Sequence, residues 1–410
     1  MNIFSKKLER NFSLMFWIQA LTEVKVINVI STLFMLSRGL SLSQIVYSGI
    51  AFSLVTILSE VPSSYLADKW GRKKILILSV IFSLFYWVIN IFARGWWLIL
   101  AIAVYAFANS LMSGTDEALL YDTSKELKTE TDSLKQLGQY FSGQRIFKMI
   151  MPVVAVLIAK DLSNQQYVYL LLIDVIANIG ALFLCFLLKE PKHFMDLETV
   201  ESGVFKDALK IFKNNKYLLN SVLNKSLMFL TTFMIWRVSS DYFMSFGASV
   251  LLIGVTTSIM QIFIFIINQN VTKIFPKVPE AERINILNWL VFLSVFVFLL
   301  NHLLWKNITL ALITYIIFNV AQVATWPLFS QLFNKVSRSY NRATTLSLAN
   351  FTKSFLDIPV LLLGSILIDK GYTYLFSWCL MMVLTVLLFF KIGGSSTGGR
   401  GQGDVTSGNT

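Results

Sequence analysis

The sequence predicts an all-α membrane protein with twelve transmembrane helices, and three observations support this fold class. Hydrophobic residues make up 55% of the 410 residues and charged residues 14%, whereas about a quarter of the residues in a soluble domain are charged. The mean hydropathy is +0.65. Apolar stretches of about twenty residues, the length that crosses the hydrocarbon core of a bilayer, recur along the whole chain. The short alternating segments of a transmembrane β-barrel are missing from the sequence.

The polar breaks between the apolar stretches place the spans in chain order. The spans of the first half fall near residues 12–36, 43–67, 75–93, 96–120, 138–159 and 167–188. The spans of the second half fall near residues 217–244, 248–272, 285–303, 307–333, 343–368 and 372–391. Two of the breaks are very short, Arg94-Gly95 and Phe246-Gly247.

The longest connection divides the spans six and six, which predicts two pseudo-symmetric halves with a site between them near the midplane. Residues 1–188 form the N-terminal six-helix bundle, and residues 217–391 form the C-terminal one. Residues 189–216 form a cytoplasmic linker, whose basic amphipathic segment 205–213 is expected to lie along the membrane surface. Residues 392–410 are rich in glycine, and we expect a disordered tail without a core.

Lysine and arginine residues place both termini in the cytoplasm, because cytoplasmic loops carry an excess of these residues. The chain has 35 of them, and most lie on the same side as the N-terminus. The opposite connections hold Arg38, Arg94, Lys160, Lys306 and Lys370. The net charge of +12 therefore reflects membrane topology, and we expect membrane lipids rather than nucleic acid around these cations.

A dense polar run from Asp68 to Lys74 joins the second and third spans and holds four cations, one acid and one glycine. Gly71 permits a backbone angle that other residues resist. Asp68 is expected at a helix end, where a carboxylate pairs with cations or with the N-terminus of a helix. The run is either a conformational device or a basic loop that sets the topology.

The segment from Glu60 to Lys74 resembles the signature of the major facilitator superfamily between its second and third helices, Gly-x-Leu-Ala-Asp-x-x-Gly-Arg-Arg/Lys. Ser64 stands at the opening glycine, and the matching positions are Leu66, Ala67, Asp68, Gly71, Arg72 and Lys73. With the span count, the resemblance covers the chain to about residue 391. It implies a latch that locks the two halves in the outward-facing state, formed here by Asp68, Gly71, Arg72, Lys73 and Asp122.

This sequence lacks three other motifs of the family. Residues 272–277 do not repeat the signature, no arginine stands near Ser110, and Pro152 lacks the preceding glycine of a fifth-helix Gly-Pro motif. These departures weaken a specific prediction of proton-driven drug export. The segments Glu60–Ser63 and Asp116–Asp122 nevertheless resemble a bacterial branch of exporters, which implies efflux across a bacterial cell membrane.

Glu23 and Lys25 lie near the middle of the first span, where a charge costs about 2.5–3.5 kcal/mol on insertion scales. Burial favours the neutral form of a carboxylate, so Glu23 is the leading candidate for a proton carrier. A structural ion pair is the alternative. Two residues apart on a helix, Glu23 and Lys25 are expected to point to different faces and to have separate partners.

Other charged residues within the spans share a helix face. Arg145 and Lys148 in the fifth span need either an acid opposite them or an anionic ligand. Two further pairs are spaced to bind each other within one helix, Lys353 with Asp357 and Arg237 with Asp241.

The remaining acids are sorted by depth. Asp116 and Glu117 lie about 8–9 Å of helix rise before Asp122, and with Glu60 they either extend the latch or form a proton exit. Asp174, in the outer part of the sixth span, is expected to be structural. Five aromatic residues either line a pocket for a flat or amphiphilic substrate or pack at interfaces, namely Trp17, Tyr105, Tyr140, Trp236 and Trp326.

We predict a secondary transporter that moves a small molecule by alternating access, through proton-coupled efflux. The candidates for proton and substrate contacts are Glu23, Lys25, Arg145, Lys148, Lys353, Asp357, Glu117 and Asp116. Proton-coupled uptake of a polar or anionic solute is the first alternative, and a non-transporting sensor or lipid-handling protein is the second. The sequence holds no nucleotide-binding loop and no pairing of a nucleophile with histidine. We therefore expect no cofactor, no metal site and no enzymatic activity, and we expect a monomer.

Overall fold

A computed structural model describes residues 3–129, 133–191, 215–270, 277–336 and 342–393. It contains twelve helices that are long and apolar enough to cross a membrane, so the predicted all-α fold with twelve spans is confirmed. The predicted amphipathic linker segment 205–213, the glycine-rich tail from residue 394 onward and most of segment 272–277 lie outside the described residues. So does the side chain of Asp68, of which only the backbone is described.

The N-terminal half contains helices α1 to α6. The helix α1 has three parts, Ile3–Thr22, a 3₁₀ turn Val26–Ile30 and Ser31–Ser37. The helices α2 and α3 are Leu42–Trp70 and Arg72–Phe92. The helix α4 has two parts, Trp96–Met112 and Thr115–Glu126. The helices α5 and α6 are Ser133–Ile158 and Asn164–Leu187.

The C-terminal half contains helices α7 to α12. Their bounds are Lys216–Ser245, Val250–Gln269, Glu280–Leu300, Ile308–Val336, Arg342–Asp369 and Tyr372–Phe389. The helix α9 ends in a π turn, Asn301–Trp305. An even number of spans brings the first residues of α1 and the last residues of α12 to the same face of the bundle. We call this face the terminal side and the opposite face the distal side.

The helix α1 is interrupted where the sequence predicts a continuous span. Lys25 adopts the left-handed conformation, with φ 31°, and the β-branched residues around it, Val24, Val26 and Ile27, have low helix propensity. The carboxylate of Asp174 on α6 accepts hydrogen bonds from the backbone N–H groups of Val26 and Ile27, at 2.7 and 3.4 Å. Asp174 therefore satisfies donors that the break leaves without helical partners.

The apolar core joins the two halves toward the distal side. The largest cluster combines Val46 and Ile50 of α2 with core residues of the C-terminal half, and a second cluster adds Val250 of α8 to the N-terminal half. The clusters nearer the terminal side, such as those around Met15 and around Phe333, each belong to one half. The apolar clusters of the described residues thus join the two halves on the distal side, whereas those nearer the terminal side lie within one half.

A small residue allows close approach of the halves at one of the distal contacts. Gly254 of α8 packs against α5, where a Cβ atom built on it would lie 2.5 Å from the methyl groups of Val156 and 2.8 Å from the carbonyl oxygen of Pro152. Small residues at helix interfaces in membranes allow this kind of backbone contact. Any larger side chain at residue 254 would push the two halves apart.

Candidate functional site

Two contiguous cavities lie between the halves and share the lining residues Asn28, Phe52, Tyr105 and Trp236. The larger one, of about 520 Å³, contains Glu23, Lys25 and Lys148, and we call it the polar pocket. The smaller one, of about 280 Å³, is lined by six aromatic residues, and we call it the aromatic pocket. Its aromatic residues are Phe52, Tyr86, Tyr105, Phe229, Phe233 and Trp236.

The polar pocket holds a three-membered ion cluster centred on Glu23. One carboxylate oxygen of Glu23 lies 2.6 Å from the Nζ atom of Lys25, and the other lies 3.0 Å from the Nζ atom of Lys148. The ammonium of Lys25 also lies 5.4 Å from the ring centre of Tyr105. The expectation of separate partners for Glu23 and Lys25 is wrong, because the break in α1 turns Lys25 back toward Glu23.

Of the two cations on α5, Lys148 lines the polar pocket, whereas Arg145 is not among the lining residues of either pocket. Lys148 binds Glu23, which is the first of the two predicted partners for this face, an acid or an anionic ligand. Arg145 lies one turn nearer the terminal side and is partly exposed. Lys225 of α7 lies 5.5 Å from the ring centre of Phe333.

The aromatic pocket contains the second predicted pair. The Nζ atom of Lys353 lies 2.9 Å from Asp357 Oδ2, which confirms pairing within α11. The hydroxyl of Ser53 on α2 donates to the same oxygen at 2.7 Å and thereby joins the halves. Asp357 is 4% exposed, and its Oδ1 atom has no hydrogen-bond partner among the described residues. The ammonium of Lys353 lies 4.7 Å from the ring centre of Phe229.

Arg237 reaches the other half instead of pairing with Asp241, so the prediction of that intrahelical pair is wrong. Its guanidinium donates to Ser48 Oγ at 2.7 Å and to the carbonyl oxygen of Ile45 at 3.3 Å, both on α2. Asp241 accepts a hydrogen bond from the hydroxyl of Tyr372. Arg237 binds α2 because α7 packs against α2, and helical spacing alone cannot predict which helices pack together.

Asp116 and Glu117 line a third cavity, of about 260 Å³, within the N-terminal half, and this cavity shares Glu23, Lys25, Tyr105 and Asn109 with the polar pocket. Gly114, with φ 76°, breaks α4 just before them. Asp116 is buried and accepts a hydrogen bond from the hydroxyl of Tyr140, whereas Glu117 is exposed. Tyr140 is itself buried and belongs to the packing of this half rather than to the pockets between the halves.

Two of the predicted latch residues, Arg72 and Asp122, form an ion pair at the terminal side within the N-terminal half, and the side chain of Asp68 lies outside the described residues. Arg72 Nη2 lies 3.0 Å from Asp122 Oδ2, and Lys73 Nζ donates to the carbonyl oxygen of Phe186 at 2.8 Å. The sequence reasoning missed Glu190, whose two carboxylate oxygens accept hydrogen bonds from the N–H groups of Arg72 and Lys73, each at 2.8 Å. Its signal in the sequence is an acid directly before a proline at the end of the sixth span.

Of the other four predicted aromatic residues, two line the pockets and two are about half exposed and line neither pocket. Tyr105 and Trp236 line both pockets. Trp17 and Trp326 are about half exposed, at 48% and 43%, and the ring of Trp326 lies 6.3 Å from that of Phe229. The two cysteines, Cys185 and Cys379, are buried and free.

Solved structures with the same fold are transport proteins. This chain superposes on the nucleoside transporter NupG with a TM-score of 0.71 and 14% identity. It superposes on a D-xylose-proton symporter with a TM-score of 0.72 and 15% identity. Both superpositions cover 95% of this chain and 98% of the other chain. A bacterial homolog of the human lysosomal transporter Spinster, in an inward-facing conformation, gives a TM-score of 0.69 and 14% identity over 95% of this chain and 96% of that chain.

At these identities the similarity shows the fold alone. No curated protein sequence matches the chain. The sequence model of the Major Facilitator Superfamily matches residues 12–358, which is most of the chain. The chain therefore belongs to the Major Facilitator Superfamily of multi-pass membrane transporters.

Proposed function

We propose that this transporter moves a small organic anion by alternating access and couples the movement to protons. The observation that carries the proposal is the charge of the cavity between the halves. Four cations and two carboxylates of the described residues line the two pockets between the halves, which leaves a formal excess of positive charge there. The charged members are Lys25, Lys148, Arg237, Lys353, Glu23 and Asp357. The carboxyl groups of Asp116 and Glu117 line only the third cavity, within the N-terminal half.

An excess of cations inside a membrane is costly unless an anion or a functional role compensates it. Glu23 neutralises part of the charge of Lys25 and Lys148, and protonation of Glu23 would remove that compensation. The cluster then attracts an anionic substrate more strongly. Proton binding and anion binding are thereby linked through the same two ammonium groups, which is the basis of the proposed coupling.

For the direction we retain export from a bacterial cell, which two sequence segments predict by resemblance. Because protonation of Glu23 strengthens anion binding, the proton and the anion move in the same direction, so this export is driven by a higher anion concentration inside the cell. Uptake is the second candidate, because an inward proton gradient drives the same cotransport inward and one of the similar structures is described as a D-xylose-proton symporter. One vesicle assay shows whether the anion moves with protons or against them.

The test uses the purified protein in proteoliposomes that contain a pH-sensitive dye, with a panel of radiolabelled organic anions. We expect anion flux to rise with a proton gradient of one direction and fall when the gradient is reversed. Glu23→Gln should abolish anion-driven proton movement while anion exchange persists, because Lys25 and Lys148 remain. The matched control is Asp241→Asn, which alters a carboxylate bonded to Tyr372 outside the pockets.

Absence of flux for every anion under either gradient would overturn the proposal. It would favour the sensor or lipid-handling alternative. Proton movement that is unchanged in Glu23→Gln would remove Glu23 from the coupling while leaving anion transport intact.

We propose further that Asp68, Gly71, Arg72, Lys73 and Asp122 act as a latch between the conformations. The Arg72–Asp122 ion pair supports this role, because it stiffens the terminal side of one half as a unit. Arg72→Ala should reduce transport several-fold while membrane insertion persists. Lys74→Ala is the control, because Lys74 is an exposed cation of the same run. Equal effects of the two substitutions would mean that the run from Asp68 to Lys74 is only a basic loop that sets the topology.

A further inference from the structure

We infer that the substrate is a ring-bearing organic anion with a hydrogen-bond donor on or near the ring. Its anionic group binds Lys25 and Lys148 in the polar pocket, its ring binds in the aromatic pocket, and its donor reaches Asp357. This inference rests on the proposed function, since it assumes that an anion is carried. It adds the chemical class of the rest of the molecule.

The adjacency of the two pockets is the first step. They share Asn28, Phe52, Tyr105 and Trp236, so a ligand that reaches from one pocket into the other passes between these side chains. The polar pocket carries the ion cluster centred on Glu23. The aromatic pocket carries the rings, Asp357 with its partner Lys353, and Arg237. A ligand that matches both pockets is anionic at one end and flat and apolar in its body.

The aromatic walls are the second step. Side chains from both halves supply them, with Phe52, Tyr86 and Tyr105 on one side and Phe229, Phe233 and Trp236 on the other. Aromatic pairs gain about 0.5–1.5 kcal/mol beyond the burial of their area. Aliphatic side chains would serve an acyclic anion equally well, so the concentration of rings points to a ring in the substrate.

The orphaned oxygen of Asp357 is the third step. Lys353 and Ser53 both bind Oδ2, while Oδ1 has no partner among the described residues although Asp357 is buried. A buried acceptor without a partner is costly, and native proteins rarely leave one without a reason. Oδ1 is itself covered in this conformation. A turn of the carboxyl group about its Cβ–Cγ bond presents an oxygen to the aromatic pocket, where an N–H or O–H group of a bound substrate supplies the hydrogen bond.

The test compares matched probes by isothermal titration of the purified full chain in detergent. The complete probes are para-aminobenzoate and the longer para-aminohippurate. Benzoate and hippurate lack the amine, hexanoate lacks the ring, and para-aminobenzamide lacks the charge. We expect the amine to improve affinity about tenfold, as for a hydrogen bond to a charged group. The ring should improve it about three- to tenfold over hexanoate, and para-aminobenzamide should bind weakest.

Single substitutions assign each preference to its residue. Asp357→Ala should abolish the advantage of the amine while benzoate still binds, and this residual binding shows that the variant is folded. Trp236→Leu should reduce the advantage of the ring. Trp17→Leu is its control, because Trp17 lines neither of the two pockets and its ring packs on Phe16. Lys148→Gln should weaken all of the anions together.

Three outcomes would overturn the inference. They are failure of every ring-bearing anion to bind, affinity of hexanoate equal to that of benzoate, and an amine advantage that survives Asp357→Ala. The proposed function is judged separately, since proton-coupled flux of an acyclic anion would support transport and still overturn this substrate class.

Discussion

At the scale of single residues, Asp174 accounts for the break in α1, which the apolar pattern of the sequence does not predict. Its carboxylate is buried in α6 and accepts two hydrogen bonds from the backbone where α1 is interrupted. The interruption in turn lets Lys25 meet Glu23. Asp174 lies outside the pockets between the halves and forms no side-chain hydrogen bond with Glu23 or Lys25. It nevertheless positions this ion pair, because it holds the backbone at the break.

Asp174→Ala should lower the free energy of unfolding by about 1–3 kcal/mol, the cost of leaving buried donors without an acceptor. Asp174→Asn should cost less, because its amide oxygen still accepts one hydrogen bond. Thermal unfolding of the purified protein measures both. Asp369→Ala, at an exposed acid, is the control. A loss at Asp174 no larger than that of the control would show that the backbone at the break is satisfied in another way.

At the scale of elements, the junction between α2 and α3 combines a backbone and a side-chain requirement. Gly71 has φ 95°, which is left-handed backbone that favours glycine. A Cβ atom on it would lie 3.2 Å from the carboxylate of Glu190, which binds the first N–H groups of α3. The start of α3 and the end of the sixth span are thereby held together by one acid.

Gly71→Ala should therefore destabilise the protein more than Gly39→Ala does. Gly39 has a similar φ of 91°, but no atom lies within 4 Å of its added Cβ. A positive φ is costly for alanine in both variants, and only Gly71→Ala adds the contact with Glu190, so we expect the larger drop in unfolding temperature at Gly71. Equal losses would mean that the carboxylate moves aside without cost.

The elements also mark what sequence reasoning can and cannot predict. Apolar length located all twelve spans, because crossing a bilayer imposes a length and a composition on each helix. The pair of Lys353 and Asp357 followed from spacing within one helix. Three other features could not be predicted from spacing within one helix, because each depends on which helices pack together. They are the break at Lys25, the contact of Arg237 with Ser48 and the role of Glu190.

At the scale of the whole molecule, the two halves are sealed on the distal side by apolar clusters and by contacts such as that of Gly254 with Val156. Alternating access requires this seal to open. Separation of α5 from α8 is therefore part of the transport cycle that we propose.

A disulfide between Val156→Cys and Gly254→Cys should stop transport, and a reductant should restore it. Replacing Val156 removes the methyl groups that a side chain at residue 254 would meet at 2.5 Å, and α8 must shift slightly from the carbonyl oxygen of Pro152, which lies 2.8 Å from the added Cβ atom. The natural cysteines are buried and remain in place. The reduced double variant is the control for this shift, and Val156→Cys alone is the control for the loss of the valine. Undiminished flux in the cross-linked protein would show that this seal stays closed throughout the cycle.

The charge of Arg237 has a consequence for the proton gradient across the membrane. None of the carboxylates in the described part of the chain forms an ion pair with it, and it bonds to Ser48 and Ile45 across the distal contact. A fixed cation in a narrow passage repels other cations, as in pores that exclude protons. We expect Arg237 to insulate the membrane against hydronium leak, so that the gradient dissipates only through coupled turnover. Substrate-free vesicles containing Arg237→Gln should acidify faster than those with the unaltered protein, and equal rates would contradict this expectation.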